Sequence, residues 1–102
     1  MAKIRKKVLT FDQTDLLDIV KFKLYYSREP LTDESPFVEI PVVSTQTQYD
    51  LTFPDLVPVV LEYEGEWNLG IVAVDDEGNE SDMDVINPFF DFVAPAKPVW
   101  RR

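Results

Sequence analysis

Residues 67–82 read WNLGIVAVDDEGNESD and carry the clearest structural pattern in the chain. Apolar residues occupy every second position of the first half and would share one face of an extended chain: Trp67, Leu69, Ile71 and Ala73. This alternation is typical of a β-strand, and the opposite face is also fairly apolar. Gly78 tolerates a positive φ, and Asp and Asn side chains bond to nearby backbone, so residues 75–79 predict a tight turn. The stretch therefore predicts a β-hairpin.

Alternating apolar residues predict five further strands, which cover residues 8–12, 19–27, 37–43, 48–53 and 85–93. The chain has eight prolines, which leave segments too short for most helices. Pro41 and Pro88 have no N–H to donate, so the strands that contain them are predicted to lie at sheet edges. Residues 57–66 are compatible with a short extra strand or a covered loop, and residues 15–19 with one helical turn.

The strand at residues 19–27 predicts two faces with different surroundings. One set of side chains is expected to point into the core: Val20, Phe22, Leu24 and Tyr26. The other set is expected to point away from it: Lys21, Lys23 and Tyr25.

Six or seven short strands in 102 residues predict an all-β fold, with two antiparallel sheets packed as a sandwich. The length suits one domain, predicted over residues 1–94. Residues 95–102 are predicted to form a proline-rich linker or tail.

The order of these motifs resembles a fibronectin type III domain. The resemblance is carried by LTF at 9–11, FKLYYS at 22–27, YDL at 49–51, the hairpin stretch at 67–82 and APAKP at 94–98. It implies an immunoglobulin-like sandwich. Such domains usually space other domains or present loops and edges to protein partners, so the resemblance also implies a role without catalysis.

Two core residues depart from the family pattern. Trp67 stands where the family normally has a tyrosine, whose hydroxyl ties a corner by bonding to backbone. An indole nitrogen can also donate, but with a different geometry. Phe11 stands where the second strand usually carries tryptophan, so the core is expected to be rearranged.

The start of the chain is the third departure. Residues 1–7 read MAKIRKK and show neither a turn nor apolar alternation, so the family's first strand is predicted to be short or missing. That would leave a sheet edge beside Leu9 and Phe11. The N-terminal lysines could protect this edge by charge. Alternatively, Val99 and Trp100, or another chain, could pair with it.

Composition excludes several classes of chemistry. The chain has no cysteine and no histidine, which rules out disulfides, thiolate sites and Ser–His or Cys–His catalysis. The net charge is −9, and residues 8–96 hold three basic against nineteen acidic residues. Such a surface repels nucleic acid and anionic membranes. No signal peptide and no membrane-spanning run are predicted, and the basic N-terminus is interpreted as a solubilising end.

The acidic turn and several aromatic residues are the candidate binding features. Turn oxygens suit Ca²⁺, but the spacing is not that of an EF-hand, and turn capping explains the same residues, so no metal or cofactor is predicted. The candidates for partner binding are Asp75, Asp76, Glu77, Asn79, Glu80 and Tyr25. The aromatic residues considered as exposed contacts are Tyr25, Tyr63, Phe90 and Trp100. Phe89, Phe90 and Phe92 lie too close together for all three to point inward.

The sequence thus favours a non-enzymatic structural or protein-interaction module, a spacer or binding domain of a larger bacterial or phage-like assembly. Its predicted partner is a protein, through a tandem-domain contact or a homodimer at the exposed sheet edge. Carboxylate pairs are unavoidable among nineteen acidic residues, and a small sandwich offers no deep cleft to raise their pKa. The alternative is a carbohydrate-associated accessory module, which would need a flat aromatic platform.

Overall fold

The computed structural model describes residues 4–13, 18–43 and 45–101. Within these ranges the chain forms strands and one short 3₁₀ helix at Pro58–Leu61, with no α-helix. The strands are β1 (Lys7–Asp12), β2 (Ile19–Ser27), β3 (Phe37–Pro41), β4 (Gln48–Phe53), β5 (Gly65–Glu66), β6 (Asn68–Asp75), β7 (Asp84–Ile86) and β8 (Phe89–Phe90). The predicted all-β class is confirmed. The predicted helical turn at 15–19 falls mostly outside the described residues.

The strands form antiparallel sheets. The largest has four strands in the order β3–β2–β6–β7, so β3 and β7 are its edges. A second sheet pairs β1 with β4, and a third pairs β5 with β8. In the described parts of the chain, no helix is long and apolar enough to cross a membrane.

The main core lies between the four-stranded sheet and the β1–β4 sheet. The Phe22 ring of β2 is fully buried, 5.0 Å from the Phe11 ring of β1 and 4.9 Å from the Tyr49 ring of β4. Phe11 and Tyr49 stack on each other at 5.2 Å. Aromatic side chains therefore join the two sheets face to face, an arrangement consistent with a β-sandwich.

A bulge in β2 changes one predicted side-chain position. The pairing of β2 with β6 shifts register between Ile19 and Lys21, so Val20 is an extra residue on its strand. Val20 is half exposed, and Ile19 packs against the core instead. The prediction that Val20 faces the core is therefore wrong, because the bulge breaks strict alternation.

The predicted last strand at 85–93 is two strands in different sheets. β7 pairs with β6, whereas β8 pairs with β5, and the chain changes sheet at Pro88. β5 and the 3₁₀ helix occupy the segment 57–66, which the sequence predicted to be either a short extra strand or a covered loop. Phe90 and Phe92 are buried, and Phe89 is exposed. Phe90 is therefore not the exposed contact that the sequence suggested, because it faces inward from β8.

After Phe92, which still packs in the core, the chain forms an exposed tail. Residues 91–101 form no strand, and Val99 and Trp100 are 81% and 85% exposed. The radius of gyration is 16.8 Å, compared with about 13 Å for a compact domain of this length. An extended tail accounts for the difference.

Candidate functional site

The acidic turn between β6 and β7 is held by Asp75. Its Oδ1 accepts hydrogen bonds from the backbone N–H groups of Glu77 and Asn79, at 3.0 and 2.8 Å. Its Oδ2 accepts one from Asn79 Nδ2 at 3.2 Å, and Gly78 adopts a φ of 84°. The hairpin predicted from residues 67–82 is therefore confirmed, with Asp75 and Gly78 in the expected structural roles.

The same bonds lower the pKa of the Asp75 carboxyl, with the backbone N–H of Asn79 as the largest cause and its side chain next. We predict that an NMR titration of this carboxyl gives a midpoint below the usual value of about 3.9. Because the folded pKa is depressed, the stabilisation is complete above about pH 3.9 and is lost as pH falls through the lower, folded pKa.

Asn79→Ala removes the side-chain bond and keeps the backbone bond, so it should raise this midpoint only partway. Asp76→Asn is the matched control, since that side chain makes none of these bonds, and it should leave the Asp75 midpoint near that of the wild type. A midpoint in the wild type at or above the usual value would contradict the hydrogen-bonded carboxylate.

Metal ligation gains no support from the turn. In the parts of the chain that the structure describes, no three or more Asp or Glu residues lie together in a way that could hold a metal ion. Both oxygens of Asp75 are used within the turn. Glu80 is engaged elsewhere, with Lys23 and Tyr25.

Tyr25 lies on the face of β2 that points away from the main core, but it is only 2% exposed. Leu31 and Met83 pack against it in a second apolar cluster, and its ring lies 5.3 Å from that of Phe37. The prediction of an exposed Tyr25 is therefore wrong, because residues outside the strand cover it. Gly70 belongs to this packing, since a Cβ there would overlap the Met83 side chain.

The hydroxyl of Tyr25 donates to Glu80 Oε1 at 2.8 Å, and Lys23 Nζ donates to Glu80 Oε2 at 2.9 Å. Burial, followed by the bond to Glu80, raises the pKa of Tyr25 to about 12. The Lys23 bond is the main cause that lowers the pKa of Glu80. The Tyr25 and Glu80 side chains thus lie together, where they join β2 to the end of the turn.

We predict that Tyr25→Phe lowers the free energy of unfolding by about 1–2 kcal/mol, because Glu80 loses a donor on a partly covered oxygen. A double-mutant cycle with Glu80→Ala, which removes the acceptor, should show a coupling of at least about 0.5 kcal/mol. Tyr26→Phe, next along the strand and on the other face, is the control. Additive effects of Tyr25→Phe and Glu80→Ala in urea denaturation would show that this bond contributes nothing to stability.

The remaining aromatic candidates do not form an evident platform. Tyr63 is 46% exposed, but the Arg28 guanidinium lies 4.7 Å from its ring centre. Of the four candidates, Tyr25 and Phe90 are buried, and Trp100 alone is wholly open to solvent.

A cleft of about 430 Å³ opens between the two main sheets, along the sides of β1 and β7. Most of its inner surface is apolar and includes Leu9, Phe11, Leu24, Leu51, Leu69 and Ile86. Carboxylates contribute to its lining from both sides: Asp12 from β1, with Asp82 and Asp84 at β7. The sequence predicted an edge beside Leu9 and Phe11 but not a cavity behind it. The predicted open edge was the signal for it, because an edge without a neighbouring strand can leave the gap between sheets uncovered.

One edge of β1 carries backbone groups that β4 does not use. Within the described ranges β1 pairs with β4 alone, in one unbroken register from Lys7 opposite Phe53 to Asp12 opposite Gln48. The N–H of Gln13 donates to Thr47 at 2.8 Å and continues this register. Since antiparallel residues alternate between bonded and non-bonded pairs, the backbone groups of three β1 residues point to the open edge: Val8, Thr10 and Asp12.

Comparisons of the chain with protein-family models, with curated proteins and with solved structures gave no match.

Proposed function

We propose that this chain is a non-enzymatic structural or protein-interaction module of the fibronectin type III kind, a spacer or binding domain of a larger bacterial or phage-like assembly. The strand order is the observation that carries this proposal. In immunoglobulin-like sandwiches strands B and E share one sheet, and C, F and G share the other. Assigning B and E to β1 and β4, and C, F and G to β2, β6 and β7, reproduces those pairings.

The start of β6 supports the same assignment. Trp67 is 3% exposed, and its Nε1 donates to the backbone carbonyl of Tyr63 at 3.2 Å. In the family a tyrosine at this corner bonds to backbone a few residues upstream. The indole of Trp67 makes a bond of the same kind, which supports its interpretation as the corner residue.

Several observations favour a role without catalysis. A general acid needs a carboxyl whose pKa is raised towards neutrality. The resolved carboxyl shifts in the described residues are all downward, at Glu39, Asp75 and Glu80. The same ranges contain no buried polar or charged residue. The carbohydrate alternative has weaker support, because two of the four aromatic candidates are buried.

A photo-crosslinking side chain placed at Val8 would test the proposal in cells of the source organism. Val8 is 55% exposed beside the open edge of β1. We expect adducts with another polypeptide at Val8, identified by mass spectrometry as a subunit of a larger assembly. Leu61, which is 48% exposed on the 3₁₀ helix, is the matched control position. Adducts at neither position, together with saturable binding to a polysaccharide, would contradict the proposal and favour the carbohydrate module.

A further inference from the structure

We propose that the cleft between β1 and β7 accepts the C-terminal segment around Trp100 from a second copy of this chain, as a strand added to the open edge of β1. This inference rests on the proposed role in protein interaction and names one partner for it. Its observations are the open edge, the cleft behind that edge, and an exposed tail of complementary chemistry.

The acceptor has both parts that strand addition requires. Val8, Thr10 and Asp12 direct outward backbone donors and acceptors that no strand in the described ranges uses, and these groups would give the main-chain bonds. Behind them the cleft of about 430 Å³ is lined mainly by apolar side chains, and its volume falls in the range that encloses small organic ligands. It therefore has room for an indole side chain pointing inward from an added strand.

The donor is the most exposed apolar segment among the described residues. Val99 and Trp100 are 81% and 85% exposed, more than any other large hydrophobic residue described. Along an extended strand these two side chains point to opposite faces, so one enters the cleft while the other stays outside. Trp100 is the better anchor, because tryptophan dominates binding energy when it fills a pocket.

The charges of donor and acceptor are complementary. Lys97 and Arg101 flank the two apolar residues, and Arg102 follows in the sequence. The cleft carries Asp12, Asp82 and Asp84 in its lining. A chain with a net charge of −9 repels its own copies, so a basic segment docking on an acidic cleft turns that repulsion into local attraction.

The geometry points to a second copy, because Trp100 is 85% exposed and so does not occupy the cleft of its own chain. Lys7 Nζ bonds to the Phe89 carbonyl at 2.9 Å, so the chain leaves β8 beside the first residue of β1. The cleft lies along the other part of this strand, at residues 9–13. Pro95 and Pro98 stiffen the tail and oppose a reversal within it.

The test measures self-association of the full chain by sedimentation at low and high salt, up to about 1 mM, the range of weak complexes. We expect the average mass to rise with concentration and the rise to shrink in high salt. Trp100→Ser, which disables the tail, and Asp84→Lys, which disables the cleft, should each weaken association by about tenfold or more. Leu61→Ser removes an exposed apolar residue elsewhere and should change nothing.

Mixing the two disabled variants gives the sharper result. The Trp100→Ser copy retains an intact cleft, and the Asp84→Lys copy retains an intact tail, so together they can make one contact. We expect a 1:1 heterodimer that grows no further, and slower amide exchange at Val8, Thr10 and Asp12 of the Trp100→Ser copy alone.

Three results would overturn the inference: a wild-type chain that stays monomeric throughout, association that Trp100→Ser leaves unchanged, or a mixture that does not pair. Burial of Trp100 in a monomer would also overturn it; the readout is the difference between wild-type and Trp100→Ser emission spectra, which removes the signal of the buried Trp67, and a blue-shifted difference independent of concentration would show it. If one of these occurs while Val8 still crosslinks to a different protein, the inference fails and the proposed function stands. If Val8 captures no polypeptide either, both fail.

Discussion

Replacing Phe22 by alanine is expected to lower the free energy of unfolding by about 3–5 kcal/mol, the usual cost of removing a buried phenylalanine. The Phe22 side chain has no exposed surface, and its ring meets Phe11 and Tyr49 of the facing sheet within 5.0 Å. Alanine would lose both aromatic contacts and leave a cavity between the sheets. A small all-β domain has about 5–15 kcal/mol of stability in total, so this loss is a large part of it.

Val20→Ala is the matched control for this prediction, because Val20 lies two positions away on the same strand but is half exposed at the bulge. Its expected cost is about 0.5 kcal/mol or less. Urea denaturation followed by circular dichroism gives both values. Phe22→Leu, which keeps most of the apolar surface, provides a smaller measurable loss if the alanine variant does not fold. Equal losses for Phe22→Ala and Val20→Ala would mean that β2 presents the wrong face to the core.

The faces of β6 were predictable because this strand is central and regular. Its neighbours β2 and β7 lie on either side, and the alternating set from Trp67 to Ala73 packs on the main core. The other face was also noted as apolar, and Val72 and Val74 do belong to a second buried cluster. Strict alternation fails in β2, where one extra residue at Val20 shifts the set of side chains that faces inward. This bulge left no visible break in the hydrophobic pattern, because Ile19 and Val20 are both apolar.

The burial of Tyr25 could not be predicted from the local pattern of alternating residues. Alternation placed this side chain on the face away from the main core, and the structure agrees. The Tyr25 side chain is covered by Leu31 and Met83, which are 6 and 58 positions away in the sequence. A period-two pattern reports which face a residue occupies, but not whether another part of the chain packs on that face. The same limit explains why Glu80 was predicted as a candidate for partner binding and not as the hydrogen-bond partner of Tyr25.

Near the end of the chain, the sequence indicated that Pro88 interrupts a strand but not that the chain changes sheet there. Pro88 indicated an interruption in an edge strand, and β7 is indeed an edge of the four-stranded sheet. The proline also marks a change of sheet, since Phe89 and Phe90 pair with β5 rather than continuing along β6. Which sheet a short strand joins depends on long-range packing, in this case the burial of Phe90 against Phe53 at 4.9 Å.

The open edge beside the cleft was predictable from the sequence, but the cleft itself was not. A doubtful first strand implied an open edge, since a sheet edge needs another strand to use its backbone groups. The volume behind that edge depends on the separation of two sheets and on the side chains that close the gap, and neither follows from periodicity. From the sequence, Asp82 belonged to the hairpin stretch, and none of the three carboxylates in the lining, Asp12, Asp82 and Asp84, was expected to face a cavity. Their shared position around one opening emerges only when β1 and β7 face each other.

Trp67→Ala is expected to cost about 3–5 kcal/mol, and Trp67→Phe about 1–3 kcal/mol. The indole is 3% exposed, so alanine removes a large buried surface at the start of β6. Phenylalanine restores much of that surface but not the donor, and it leaves the Tyr63 carbonyl without the bond that Trp67 Nε1 makes at 3.2 Å. The two losses, measured by chemical denaturation, separate packing from hydrogen bonding.

Trp67→Tyr extends this comparison to the proposed family, because it differs from Trp67→Phe by one hydroxyl. If this position is a corner that fixes the chain before β6 by a bond to upstream backbone, the tyrosine hydroxyl should recover part of the lost bond. The tyrosine variant should then be more stable than the phenylalanine variant by about 0.5–1.5 kcal/mol, the usual net value of one hydrogen bond. A tyrosine variant less stable than the phenylalanine variant would mean that the buried hydroxyl finds no acceptor. The bond from the indole to Tyr63 would then be particular to tryptophan, and the corner would no longer support the fibronectin type III assignment.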